Sequence, residues 1–222
     1  MIGAGAFAAA AAGSAALGWM YHRDRTRVIA HRRSVFEECR GLLDDAELSQ
    51  DGADYPRLTG RRDEVPVELR LLADTIQLRK LPVLWLLVTI RHPLKIAGVF
   101  DMLIRPDNSE YYSPHDRLRT VLPAPPDWPA DAVVRCDRPD AVAPLLDRLT
   151  PHVRAFTEEG RGKELFLAPR GLRLVYRVDE SRRGHYLATR QPLFDNDRLA
   201  RATVEDLIAR GFALAADMSR EH

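Results

Sequence analysis

Residues 81–90, Leu-Pro-Val-Leu-Trp-Leu-Leu-Val-Thr-Ile, run for ten positions without a charge and are bounded by Arg79-Lys80 and Arg91. Ten residues are too few to cross a bilayer, and the run lacks the alternation of a strand that is wet on one side. It reads as a central strand buried on both faces, which needs neighbouring strands on either side and cover above and below. A second reading takes Trp85 through Leu94, with Ile96, Val99, Phe100, Met102 and Leu103, as a surface that dips into a bilayer. Lys80, Arg91 and Lys95 would then meet lipid phosphates.

The amino-terminal end imposes the next constraint. Ile2 to Tyr21 is twenty residues without a charge, long enough as a helix for the hydrocarbon thickness of a bilayer. Its composition is Ala and Gly, with Ile2, Phe7, Leu17, Trp19 and Met20 as its strongly apolar side chains. Ala9, Gly13 and Gly18 leave shallow surfaces against which another helix backbone packs closely. Trp19 and Tyr21 stand where aromatic rings suit a membrane interface, and Arg23, Arg25, Arg27, Arg32 and Arg33 follow. The expectation is a single-pass transmembrane helix that prefers protein neighbours to lipid. The basic flank puts the amino terminus outside and the following domain in the cytoplasm. A cleaved secretory signal lacks the basic segment that should precede its apolar run, and a buried Ala-rich core helix is a third reading. Gly3-Ala4-Gly5-Ala6-Phe7-Ala8 matches a dinucleotide-binding fingerprint in outline, but no strand precedes it.

Charge counting supports this division. The chain of 222 residues carries 33 Lys and Arg against 32 Asp and Glu, and 45% of its residues are hydrophobic. That composition excludes wholesale disorder, collagen-like repeats and a polytopic membrane protein. The near balance is a cancellation: residues 1–21 carry no charge, 22–33 carry a net +4 and 34–222 a net −3. An acidic remainder with Arg interleaved among Asp and Glu argues against a nucleic-acid partner.

Beyond the arginines, Val28/Ile29, Val35/Phe36 and Leu42/Leu43 recur every seven residues, with Arg32, Cys39 and Ala46 in the next row. The spacing predicts an amphipathic helix ending near Leu48, packed on its own domain or paired with a second helix. Three segments result: a transmembrane anchor (1–21), a basic juxtamembrane and amphipathic helix (22–48), and a soluble α+β domain (49–222). In the last, 57–60 and 65–71 predict a hairpin around the charged turn 61–64, with Val65, Val67, Leu69 and Leu71 on one face. Residues 105–130 form an irregular excursion in which Tyr111, Tyr112 and Trp128 are candidate partner contacts, although Trp128 also suits the edge of its own core. Ala132–Cys136 reads as a strand and Asp137 as the cap of a helical stretch to Leu149, followed by a turn or two over His152–Glu159. Glu164–Ala168, Leu172–Val178 and His185–Arg190 read as an antiparallel meander, and Leu199–Met218 as a closing amphipathic helix. The fold class is α+β, a transmembrane helix and stalk followed by one mostly antiparallel domain.

Catalytic signatures do not emerge. There is no G-x-S-x-G, Walker A loop, H-E-x-x-H or paired Cys-x-x-Cys, so nucleophile-elbow, P-loop and zinc chemistries lose their sequence support. Asp195-Asn196-Asp197 suits a turn and helix cap better than a cation site, because adjacent side chains do not converge. His115-Asp116 pairs a base with an acid, but neighbours in sequence rarely point together. Cys39 and Cys136 read as buried reduced thiols, with a mutual disulfide open only to the secreted alternative. No catalytic residue, cofactor or metal is expected. The functional expectation is a single-pass membrane-anchored protein-interaction module, an accessory or assembly subunit of a larger membrane protein complex. Its partners would be the bilayer and other membrane-protein subunits, with anionic lipid as a further candidate. The alternatives are a membrane-surface enzyme using loop 105–130 and a peripheral module that binds anionic lipid.

Overall fold

The computed structural model describes residues 2–75, 81–106, 110–195 and 198–220, and in the first helix the side chains of Phe7 and of Ala11 onward. One helix, α1 (Ile2–Arg33), leads into a 3-10 segment, Ser34–Leu42, and then into a nine-stranded sheet. The strands are β1 (Asp44–Ser49), β2 (Arg57–Arg62), β3 (Val65–Asp74), β4 (Val83–Ile90), β5 (Phe100–Ile104), β6 (Thr120–Leu122), β7 (Ala132–Cys136), β8 (Gly162–Ala168) and β9 (Gly171–Glu180). Their spatial order is β1-β2-β3-β4-β9-β8-β5-β7-β6, and every neighbouring pair is antiparallel. Among the described residues four further α-helices follow, α2 (Pro139–Val142), α3 (Leu146–Thr157), α4 (Arg183–Thr189) and α5 (Arg201–Met218), with 3-10 turns at His115–Arg117 and Ala143–Leu145.

The uncharged run becomes β4, between β3 and β9, as its composition requires. Leu84, Leu86, Val88 and Ile90 enter the main core, while Trp85 and Leu87 join Leu72 and Val175 in a second, smaller core on the opposite face. The bilayer-dipping reading of this run therefore fails, because both of its faces are spent inside the protein.

The main core is roofed by helices. α5 contributes Val204, Leu207, Ile208, Leu214, Ala215 and Met218, and α3 contributes Leu146, Leu149, Val153 and Phe156. Gly211 lets α5 lie against β4, since a Cβ there would stand 2.5 Å from Ile90 Cδ1. The 3-10 segment buries Val35, Phe36, Cys39 and Leu42 beside α5, and the Leu199 amide donates to the Val35 carbonyl at 3.3 Å. The seven-residue stripe thus packs on its own domain. The chain leaves the helical path at Leu43, and 44–49 pairs with β2 as an edge strand instead of extending a helix to Leu48.

Two further expectations need correction. His185–Arg190 is not a third meander strand: Arg183–Thr189 is the helix α4. β9 already has β4 on one side and β8 on the other, so no edge remains for a third segment to pair with. Helix α3 continues through Pro151 to Thr157, so the end of the stretch to Leu149 and the expected turns over 152–159 lie in one helix. Asn196 and Asp197 of the expected turn lie outside the described residues.

The expected single-pass topology is overturned as well: among the described residues no helix is long and apolar enough to cross a membrane. α1 has the length, about 48 Å for its 32 residues. It lacks the hydropathy, because Ala and Gly carry little transfer free energy and charges recur from Arg23 onward. An anchor with its amino terminus outside and its domain in the cytoplasm is accordingly not supported.

Both cysteines are buried and free. Burial, with Glu38 adding to it and Arg201 opposing, pushes the Cys39 thiol up to about 11, and burial also raises Cys136. Both stay protonated at pH 8, so a thiol reagent is expected to label neither at that pH until denaturant is added. Fast native labelling would show that the core opens at these sites.

The β8–β9 hairpin turns through Gly171 at φ +145°, where a Cβ would lie 2.2 Å from the Ile90 carbonyl oxygen. Gly171→Ala is expected to lower unfolding free energy by more than about 2 kcal/mol in urea titrations. Gly160→Ala, at φ +63° with open space around it, should cost about 1 kcal/mol.

Candidate functional site

Helix α1 is the least supported element of the fold. Residues 11–27 are all exposed, and α1 contacts the domain chiefly through the 3-10 segment that follows it. Leu17 is 68% exposed and Trp19 61%, and Met20 and Tyr21 are open to a similar degree. A Cβ at Gly13 or Gly18 would meet nothing within 4 Å. For Ala9 the description extends only to its backbone, which lies on the same helix. The Arg23 guanidinium sits 5.3 Å from the Trp19 ring centroid, while Arg25, Arg27 and Arg33 project from the exposed helix surface.

The root of α1 is braced by the β1–β2 loop. Gln50 Nε2 donates to the Ile29 carbonyl at 3.3 Å and to the Asp54 carbonyl at 2.9 Å. Arg32 donates to the Ala53 carbonyl and places its guanidinium 4.6 Å from the Tyr55 ring centroid. Together with Arg57, Arg70 and Tyr111 these groups line a groove of about 680 Å³. The fold thereby unites two residues that the sequence singled out for separate reasons, Arg32 at the basic junction and Tyr111 in the long loop. Tyr111 is 55% exposed and meets Tyr112 edge-on at 5.9 Å, while Tyr112 turns inward to Trp85 at 6.4 Å. Trp128 is elsewhere. It is buried against Phe100 at 6.1 Å and donates its indole N–H to Thr150 Oγ1 at 2.9 Å, so it serves its own core.

The segment 110–118, with a 3-10 turn at His115–Arg117, straps across the second sheet face. Glu110 Oε1 lies 2.7 Å from Lys163 Nζ, and the His115 carbonyl accepts from Arg135 Nη1 at 3.2 Å. Beneath the strap, Asp101 of β5 and Glu164 of β8 are both fully buried. Asp101 Oδ2 is 3.1 Å from His115 Nδ1 and accepts from Ser113 Oγ at 3.3 Å. Arg173 holds Glu164 with both ends of its guanidinium fork, at 2.9 to 3.2 Å. His115 therefore pairs with Asp101 of the sheet, not with its chain neighbour Asp116, which reaches Arg135 at 3.4 Å.

Burial raises the Glu164 carboxyl to about 7, with the nearby Asp101 charge adding to the rise and Arg173 and Ser113 opposing it. Two carboxylates side by side in a dry site do not both ionise cheaply. Asp101 Oδ1 and His115 Nε2 have no hydrogen-bond partner among the described residues. Sequence inspection missed this cluster. Its signal is a charged residue inside an apolar strand, Asp101 in Phe-Asp-Met-Leu and Glu164 in Glu-Leu-Phe-Leu. With Asp101 and Glu164 at 0% exposure and His115 at 2%, the cluster holds the strap and offers no face to a substrate. Among the described residues no group of three or more His, Cys, Asp or Glu is arranged to hold a metal ion.

No family model and no curated protein sequence matches the chain. Among solved structures it is similar to the crystal structure of the mycobacterial trehalose monomycolate transport factor A, TtfA. The TM-score is 0.44 at 12% identity, over 87% of this chain and 93% of that one.

The folded state binds the Glu164 proton more tightly than an ordinary carboxyl of 4.5 does. The resulting stabilisation is complete below 4.5 and is lost as pH rises through about 7. Glu164→Gln, which keeps a neutral side chain there, should flatten the fall in unfolding free energy across that window. Parallel pH profiles for the two proteins would contradict the assignment.

Proposed function

We propose that the chain is an accessory or assembly subunit of a larger membrane protein complex, joined to its partner through α1. The carrying observation is the unsupported surface of that helix, with Leu17, Trp19, Met20 and Tyr21 exposed and the backbone at Gly13 and Gly18 open to close approach. Alanine favours the helical state, but exposed Leu, Trp and Met gain free energy only when something covers them. Small residues beside large apolar ones suit a second helix, which approaches the glycines and packs against the bulky side chains. The reading requires α1 to contact protein and does not require it to cross a bilayer.

The arginines that follow suit an acidic partner surface or anionic headgroups at the edge of the contact. The alternative of a peripheral lipid-binding module loses its apolar half, because Leu81–Ile90 forms the sheet centre. The alternative of an enzyme using loop 105–130 finds His115 buried in its pairing with Asp101 and Asp116 turned to Arg135.

The test is purification of the tagged full chain from its native cells in mild detergent, with a photo-crosslinking residue at position 17. A stoichiometric partner crosslinked there is expected. Gly13→Leu with Gly18→Leu should abolish that crosslink and leave the thermal unfolding of the domain unchanged, because both positions face open space. A chain that migrates alone, or a crosslink indifferent to the two leucines, would overturn the reading.

A further inference from the structure

A second cavity, of about 410 Å³, lies across one end of the sheet, where β4 and β8 begin and β5 and β9 finish. The volume falls within the roughly 300–1,000 Å³ typical of small-molecule sites. Its apolar wall is Leu81, Val83, Trp85 and Ile104. Trp85 is nine-tenths buried, and its indole N–H has no acceptor among the described residues. A buried donor left in this state is an uncommon cost in a folded protein.

The charged lining is unevenly neutralised. Arg105 is paired with Asp131. Lys163 spends its ammonium on the carbonyls of Ile104 and Arg105, at 2.9 and 2.8 Å, and on Glu110 at 2.7 Å. Arg177 donates to the neutral Gly160 carbonyl at 3.3 Å, and Arg161 lies near the Tyr176 hydroxyl, which donates to Glu159 Oε2 at 2.8 Å. Against these two arginines the remaining lining carboxylate is Glu180. Among the described residues Arg177 has no carboxylate partner, which leaves its guanidinium open beside an apolar wall.

We propose that this cavity binds a monoanionic amphiphile, an apolar body with one carboxylate. The body lies against Val83, Trp85 and Ile104, and the carboxylate meets Arg177 and Arg161. Arg offers a carboxylate two parallel donors, which fixes the head while the wall accepts chains of differing shape. This site stands apart from α1 and owes nothing to the contact proposed for that helix.

Calorimetric titration of the full chain decides the matter, with decanoate as the probe and decyltrimethylammonium and decanol as matched cationic and neutral arms, each below its micellar concentration. One decanoate per chain is expected, with the cation at least about tenfold weaker. Arg177→Glu should weaken decanoate by about tenfold or more and leave decanol unchanged. Val83→Trp, which fills the wall, should weaken all three, and thermal unfolding of each variant confirms that the fold is intact. Should Val83→Trp fail to fold, Arg161→Glu, at an exposed position, takes its place and is expected to weaken decanoate alone. Absence of decanoate binding up to its micellar concentration, equal affinity for the anion and the cation, or an Arg177→Glu effect shared by decanol would each overturn the proposal.

Discussion

The two-sided burial of β4 is the constraint on which the rest of the molecule depends. A strand whose odd and even residues are both apolar cannot lie at an edge or face water, so partners must pair with it and separate layers must cover its two surfaces. β3 and β9 supply the pairing over nearly its whole length. Helix α5 covers one surface, and the small core of Leu72, Trp85, Leu87 and Val175 lies on the other. Fully burying one such side chain is worth about 1.5–3 kcal/mol, so β4 alone outweighs any ion pair in the structure.

Because the second surface is closed partly by a strap instead of a helix, its margins are polar. The strap has few apolar residues to bury and is fastened by charge: Glu110 to Lys163, and His115 and Ser113 to Asp101. Such groups lose hydration when buried and are stable only as a connected network. Arg173 satisfies Glu164 at both oxygens, yet burial, with the adjacent Asp101 charge adding to it, keeps the Glu164 proton in place to about 7. The same strap delivers Tyr111 to the groove at the root of α1 and Tyr112 to the ring of Trp85. The fastening therefore orders two surfaces at once.

Much of the sheet is legible from residue patterns. Val65, Val67, Leu69 and Leu71 alternate as a half-buried strand must, and β2 and β3 form around the charged turn as that alternation implies. The stripe of Val35, Phe36, Cys39 and Leu42 packs on the domain as its spacing implies, but the helical path stops at Leu42 although Ala46 continues the spacing, because edge pairing with β2 claims the backbone from Asp44. His185–Arg190 alternates convincingly and still forms a helix, since pairing depends on a vacant neighbour that local sequence does not reveal. The buried Asp101 and Glu164 have a visible signal, charge within an apolar strand, but their partners Ser113, His115 and Arg173 are distant in sequence.

The sequence by itself determined that β4 is central, that a basic junction follows an uncharged segment, and that the familiar catalytic motifs are absent. Those properties depend on single residues and their near neighbours, where apolarity and charge act locally. Tertiary structure alone decided that Arg32 shares a groove with Tyr111, that Trp128 belongs to the core and not the surface, and that His115 pairs with Asp101. It also decided that Arg177, without a carboxylate partner among the described residues, stands opposite Trp85 at one end of the sheet. Each of these rests on contacts between distant segments, whose geometry is set by strand order and register.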